Sequence, residues 1–180
     1  MLMFTSFNSL QNMVSKLYDD YGYTNLGQTA ILFIYFSFSI ATWVTSYIIK
    51  YVGYKKTMFW SSLGYAVFEA TGLLIVTNVK INHTLIWIIV NAGACICGFS
   101  ASALWVAQGA YTSNVASKKR KSELFGLFWS FMMSSQIFGN LLGTFVLGRI
   151  SNLVYFIILT ILGCASALFF IFIPEVEAKQ

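Results

Sequence analysis

Glu69 is the only acidic residue that lies well inside an apolar run of the sequence. An ionised side chain at the centre of a membrane costs roughly 3 kcal/mol unless it is paired or becomes protonated. No basic residue lies within another apolar run to pair with it. We therefore expect Glu69 to be neutral, hydrated in a cavity or coupled to a proton. A structural role as a protonated acid and a functional role both fit this position.

A polar stripe follows the first apolar segment. Thr5, Asn8, Asn12 and Ser15 are separated by three, four and three positions, which places them on one face of a helix. Carboxamides facing lipid cost free energy, so this face should contact other helices or water. It would either join helices through hydrogen bonds of about 0.6–2 kcal/mol each or line a polar cavity. The spacing fits both roles.

Gln108 interrupts the end of another apolar segment, within the stretch SALWVAQGAYTS. Three residues earlier stands Trp105, a residue type that prefers the interface between membrane and water. An amide costs little in the headgroup region. Gln108 is therefore expected to mark the end of the helix.

Residues for catalysis or metal binding are scarce. Cys95 and Cys97 are two positions apart, so on a helix they point about 200° away from each other and cannot share a metal ion. The single histidine, His83, leaves no partner for a zinc site and no Ser-His-Asp set. A phosphate-binding glycine loop with its lysine is also missing. We predict no metal, no cofactor and no enzymatic activity.

The elements that position these residues are membrane helices. Hydrophobic residues make up 58% of the 180 residues and charged residues 9%, against about 25% charged in soluble domains. About 20 apolar residues span a hydrocarbon core of roughly 30 Å as a helix. We predict an all-α polytopic bundle in one domain (1–174) with a short cytoplasmic tail (175–180), its six transmembrane helices being 1–15, 28–49, 57–77, 84–105, 124–147 and 153–173. The first falls below the usual minimum of about 17 residues and is expected to have lost its first turn, through a trimmed gene model or a late start codon.

Basic residues in the loops predict the orientation. Lys50, Lys55, Lys56, Lys118, Lys119, Arg120, Lys121 and Lys179 fall on one side, and Lys16, Lys80 and Arg149 on the other. The richer side should be cytoplasmic, which places both termini in the cytoplasm, at a plasma membrane or an endomembrane. The net charge of +5 then reflects orientation, and no nucleic-acid partner is expected. Asn82 faces outward in the sequon Asn82-His83-Thr84, where it is a candidate for N-glycosylation.

Small residues at intervals of four predict close helix packing. Ser135, Gly139 and Gly143 repeat in this way in the fifth segment. Gly98 stands between Ala94 and Ser102 at the same interval in the fourth. Such positions let helix backbones approach each other. We expect packing, with no ligand role, at Gly98, Ser135, Gly139 and Gly143.

Several stretches resemble known membrane proteins. The turn SYIIKYVGYKKTM has a glycine followed by basic residues, Gly53, Lys55 and Lys56, and resembles the loop between helices two and three of the major facilitator superfamily. The acidic residue usual in that loop is absent, and Lys50 stands in its place. The blocks FTSFNSLQN, LWVAQGAYTS and LFGLFWSFMMSSQIFGN together resemble the Unc-93-like (uncoordinated-93) family, and the likeness covers most of residues 4–173.

The resemblance implies half of a major facilitator fold, matching its amino-terminal half, since family members have about twelve helices. Unc-93-like proteins act as ion-channel regulatory proteins or in receptor trafficking. The chain would then be a non-enzymatic partner of another membrane protein, or would pair with a second half-domain. The alternatives are a secondary transporter of a small solute and a truncated fragment of either. Fourth helices of this superfamily line the central path, so Gln108 would lie at its inner mouth, and Asn8, Asn12 and Glu69 would be the other polar positions.

Overall fold

The computed structural model describes residues 1–77, 82–146 and 149–176. The described residues form six α-helices and a short terminal 3-10 turn: α1 (Leu2–Asp20), α2 (Leu26–Val52), α3 (Tyr54–Val76), α4 (His83–Val115), α5 (Lys121–Val146), α6 (Asn152–Phe169) and the turn Phe170–Phe172. The predicted all-α bundle of six helices is confirmed. Lys80 and Lys179 of the charge pattern, Leu147 at the predicted end of the fifth helix and residues 177–180 of the predicted tail lie outside the described residues.

Four of the helices are long and apolar enough to cross a membrane by themselves. They are α2, α3, α4 and α6 together with its 3-10 turn. Within the described ranges, α1 and α5 do not meet the same criterion of length and composition. These are the helices that carry the polar stripe and the predicted packing residues Ser135, Gly139 and Gly143.

α1 and α4 run furthest beyond their predicted ends. α1 continues beyond residue 15 to Asp20 because Leu17 and Tyr18 extend its buried apolar face. α4 has 33 residues and is about 50 Å long. It passes through Gln108 without a break and ends at Val115, so the expected helix end at Gln108 is wrong.

The reason for the longer α4 lies in its polar side chains. The Gln108 amide donates to Thr112 Oγ1 within the helix (3.0 Å). The Asn114 amide donates to the Tyr54 hydroxyl at the start of α3 (2.9 Å). These groups find partners within the protein, so the helix continues after its apolar stretch has ended.

A single residue, Gly53, joins α2 to α3. Its φ is +85°, a value that glycine adopts far more readily than residues with a Cβ atom. The Gly53 N–H donates to the Ile49 carbonyl and closes the last turn of α2. α2 therefore passes into α3 through a one-residue turn at the glycine of SYIIKYVGYKKTM.

The helix pairs follow an internal symmetry. α2 packs on α4, α3 on both α4 and α6, and α1 on both α5 and α6. If α1, α2 and α3 are matched with α4, α5 and α6 in that order, the α2–α4 pair corresponds to α1–α5, and α3–α4 corresponds to α1–α6. The α3–α6 pair corresponds to itself. Two three-helix repeats of opposite orientation pack in this way. Their shared core is formed by fully buried side chains that include Leu10, Phe68, Val90, Phe156 and Leu159.

α2 and α5 are the least covered helices. In the apolar window of α2, 17% of the residues are buried, against 56% in α3. In α5 the buried residues are Ser135, Gly139 and Gly143. These two helices occupy equivalent positions in the two repeats, so both repeats leave the corresponding face open.

Candidate functional site

The polar stripe of α1 lies against α5. The Asn8 amide donates to Ser135 Oγ (3.4 Å) and the Asn12 amide to Asn140 Oδ1 (2.6 Å). Asn8 is buried, whereas the Asn12–Asn140 pair is exposed. Both predicted amides therefore bind across a helix contact, and one of the two pairs lies on the open side of the bundle.

Small residues make this contact possible. A Cβ atom at Gly139 would lie 2.8 Å from the Thr5 carbonyl oxygen of α1. At Gly143 it would lie 3.2 Å from Ser9 Oγ. On the symmetry-related contact of α4 with α2, a Cβ atom at Gly98 would overlap the Ile34 carbonyl group. On the α1–α5 contact, Gly139 thus meets the α1 backbone and Gly143 meets α1 side chains. Ser135 binds Asn8 at the same contact, and Gly98 packs against the α2 backbone.

Glu69 is fully buried at the contact of α3 with α6. Its Oε2 atom fills the space beside Gly163, where a Cβ atom would collide with it. Neither carboxyl oxygen has a hydrogen-bond partner within the described residues. An unpaired carboxylate in such a place would lose its hydration without compensation, which costs several kcal/mol.

Other hydroxyl groups lie at the junction of α1 with α3 and α6. Ser9 Oγ and the Tyr155 hydroxyl are 2.7 Å apart and both buried. Ser6 is also fully buried, and its hydroxyl donates to the Met3 carbonyl (2.9 Å). These groups accompany Glu69 on the inner side of α1, away from the open face. The Ser9–Tyr155 pair was not predicted from the sequence, although a tyrosine in an apolar helix indicates that its hydroxyl requires a partner.

A small cavity of about 210 Å³ is lined by residues of the first five helices, α1 to α5. Its polar lining comes from Asn8, Gln11, Tyr35, Tyr65 and Gln136. The Gln11 amide donates to the Tyr35 hydroxyl across it (2.7 Å). Of the four predicted polar positions, only Asn8 belongs to this lining.

Gln108 lines a different and larger cavity, of about 610 Å³, at the end of the bundle where α1 begins and α4 ends. Its other lining residues are mostly aromatic or aliphatic and include Met3, Phe4, Trp105, Phe128, Met132 and Phe169. The Trp105 ring packs against Phe4 and Trp129, with centroids 5.4 and 5.8 Å away. The four predicted positions are therefore distributed over three places: the α1–α5 contact, the α3–α6 contact and this apolar cavity.

Asn82 directly precedes α4, at the end of the bundle opposite the larger cavity. Its Oδ1 atom accepts a hydrogen bond from the Thr84 backbone N–H (3.0 Å), which is an N-terminal cap. The side chain is exposed. Its glycosylation stays a prediction.

Comparisons with known proteins agree on one family. The model of the Major Facilitator Superfamily matches residues 1–180. Protein unc-93 homolog A of Mus musculus is 28% identical over 84% of this chain and 32% of its own length. UNC93-like protein MFSD11 of Xenopus laevis is 25% identical over 100% of this chain and 41% of its own length.

A third relative carries a functional name. The putative potassium channel regulatory protein unc-93 of Caenorhabditis elegans is 26% identical over 81% of this chain and 20% of its own length. The chain thus spans about a third of the length of the first curated relatives it matches. No solved structure matches. The chain is an integral membrane protein that belongs to the major facilitator superfamily, and its resemblance to the Unc-93-like proteins of that superfamily is confirmed.

Proposed function

We propose that the chain is a non-enzymatic regulator or trafficking partner of another membrane protein, such as a channel or a receptor. The observation that supports this proposal is the exposed Asn12–Asn140 pair on the open side of α1 and α5. Carboxamides in contact with lipid are costly, so a layer of helices or water must cover this face. The name of the C. elegans relative supports a channel as the regulated protein.

The covering layer is a second helical unit. A second half-domain, in the same polypeptide or another, occupies this face in one form of the proposal, and the regulated channel or receptor occupies it in the other. Exposed large side chains lie next to Asn140 on α5, among them Ile137 and Leu141. Both termini are cytoplasmic, in agreement with the basic residues at the α2–α3 and α4–α5 loops.

A photo-crosslinking residue tests the covered face. We place the crosslinker at Ile137, which is 63% exposed and one turn from Asn140, and at Ile161 on α6 as a control of matched exposure (60%). Crosslinking in cells should join position 137 to a protein and leave position 161 with lipid only. Equal protein adducts from both positions, or none from position 137, would contradict the proposal.

A secondary transporter of a small solute is the second candidate. It is favoured by the buried carboxyl of Glu69 and by the small cavity into which Asn8 and a few other polar side chains project. Glu69→Gln keeps the shape of the side chain and removes its proton exchange. Solute uptake by proteoliposomes that is lost in this variant, with unchanged reconstitution, supports transport. Co-purification of a channel or receptor together with no flux in the unaltered protein supports regulation.

A further inference from the structure

The apolar cavity of about 610 Å³ has the size of a small-molecule site, for which 300–1,000 Å³ is typical. It lies beside the amino-terminal half of α5, which is little buried: every buried residue of α5 lies at position 135 or beyond. Its lining includes Phe128, Phe131 and Met132 of α5, Trp105 of α4 and Phe169 of α6. The lining matches a hydrocarbon chain in polarity.

Both long walls of this cavity end at the same basic loop. Thr112 lines the cavity one turn before α4 ends at Val115. Phe128 lies two turns, or about 10 Å, into α5 from its first residue, Lys121. The loop between the two helices carries Lys118, Lys119 and Arg120. Residues 118–121, all basic and here called the basic loop, therefore lie at the mouth of the cavity.

Most of the charge of the basic loop is uncompensated. Its four side chains are exposed. Arg120 forms an ion pair with Glu123 (3.1 Å). Within residues 1–77, 82–146 and 149–176, no ion pair engages Lys118, Lys119 or Lys121. Three lysine ammonium groups are thus free to bind an anion beside an apolar cavity.

We propose that the cavity and the basic loop together bind one anionic phospholipid. One acyl chain occupies the cavity, and the phosphate binds Lys118, Lys119 and Lys121. With the basic loop on the cytoplasmic side, as the charge pattern predicts, the lipid comes from the cytoplasmic leaflet, whose anionic lipids are attracted about fivefold more strongly for each basic residue. This inference is independent of which partner the chain regulates.

The test uses the chain reconstituted in phosphatidylcholine nanodiscs. Phosphatidylserine with a photoreactive group near the end of one acyl chain is compared with phosphatidylcholine that carries the same chain. Mass spectrometry locates the adducts. Phosphatidylserine should label the peptides that contain Trp105, Phe128 and Met132 at a concentration at least tenfold lower than phosphatidylcholine.

Two charge variants separate this site from the general field of the protein. Lys118→Gln with Lys119→Gln removes two charges from the basic loop, and Lys50→Gln with Lys56→Gln removes two from exposed positions around the α2–α3 turn. The first should raise the half-saturating concentration of the serine lipid by about 25-fold, and the second should change it less than twofold. All four side chains are exposed, so both variants should retain the melting temperature of the unaltered chain.

Four results would overturn the proposal. The two lipids would label the cavity alike if it held ordinary annular lipid. The two variants would weaken labelling equally if only the total charge mattered. Glycerophosphoserine, which has no acyl chain, would compete fully if the basic loop bound phosphate alone. A photoreactive residue at Met132 that captured a protein segment in place of lipid would assign the cavity to a helix.

Discussion

Gly139→Ala tests whether the close approach of α5 to α1 holds the bundle together. The new Cβ atom would lie 2.8 Å from the Thr5 carbonyl oxygen and 3.1 Å from the Ser9 backbone nitrogen. Both neighbours are backbone atoms of one helix, so α1 and α5 must separate by several tenths of an ångström. Forced overpacking of this kind costs about 1–3 kcal/mol.

Separation also weakens the two hydrogen bonds that bridge the same contact. Asn8–Ser135 and Asn12–Asn140 lie on either side of Gly139 along α5, and interhelical bonds in membranes contribute about 0.6 kcal/mol each. Alanine gains about 1 kcal/mol over glycine in helix propensity. A control with the same gain and no new contact isolates the packing effect. Gly126→Ala on the same helix provides it, because a Cβ atom there meets nothing within 4 Å.

The difference between the two variants is the measured quantity. The gain in helix propensity is the same in both variants and cancels. The overpacking and the two weakened hydrogen bonds remain, so the free energy of unfolding should be about 2–4 kcal/mol lower for Gly139→Ala than for Gly126→Ala. Titration of the protein in mixed micelles with sodium dodecyl sulfate, followed by circular dichroism, measures both values. Variants that differ by less than about 0.5 kcal/mol would refute the packing argument, since an overlap with a backbone carbonyl at this distance cannot be neutral.

Three further variants address other contacts in the same titration. Gly163→Ala places a methyl group against Glu69 Oε2 and Ala66, and it should lower the free energy of unfolding by about 1–3 kcal/mol. The double variant with Glu69→Ala should recover part of that loss. If it recovers none, the strain does not arise at Glu69. Ser102→Ala removes a part-buried hydrogen bond to Thr42 and a buried one to Thr45 (3.1 Å each). It should cost about 1 kcal/mol, and an unchanged midpoint would be the contrary outcome. Hydrogen bonds and attraction from Arg120 lower the pKa of the Glu123 carboxyl. The contribution of this exposed pair to the free energy of unfolding is therefore complete at neutral pH and is lost as the pH falls through that lowered pKa. Glu123→Gln should remove this loss at acid pH, and an identical pH profile in the variant would show that the pair contributes nothing.

The number and type of the helices were predictable because an apolar run of about 20 residues has one stable backbone conformation in lipid. The end of α4 was not predictable in the same way. Residues 106–115 are held by the Gln108–Thr112 bond and by the Asn114 bond to Tyr54 on α3. The second of these depends on a contact between helices, which the local pattern of residues does not contain.

For the site residues, too, the local pattern was predictable and the contacts between helices were not. Spacing placed Asn8 and Asn12 on one face, but their partners, Ser135 and Asn140, lie 127 and 128 positions later in the chain. Burial of Glu69 followed from its position in an apolar run, whereas its location beside Gly163 required the α3–α6 contact. A sequence specifies which side chains need a partner, and the packing of distant helices determines which partner each one obtains.

The long separation of the α1 amides from their partners on α5 has a consequence for biosynthesis. At 5–20 residues per second, a ribosome needs about 6–25 s to add the 127 residues between Asn8 and Ser135. During that time α1 is a weakly hydrophobic helix with unsatisfied carboxamides, which bilayer lipids accept poorly. We expect nascent α1 to wait beside the protein-conducting channel or an intramembrane chaperone until α5 emerges. Its release into the bilayer would then follow the synthesis of α5, although α1 is made before α5.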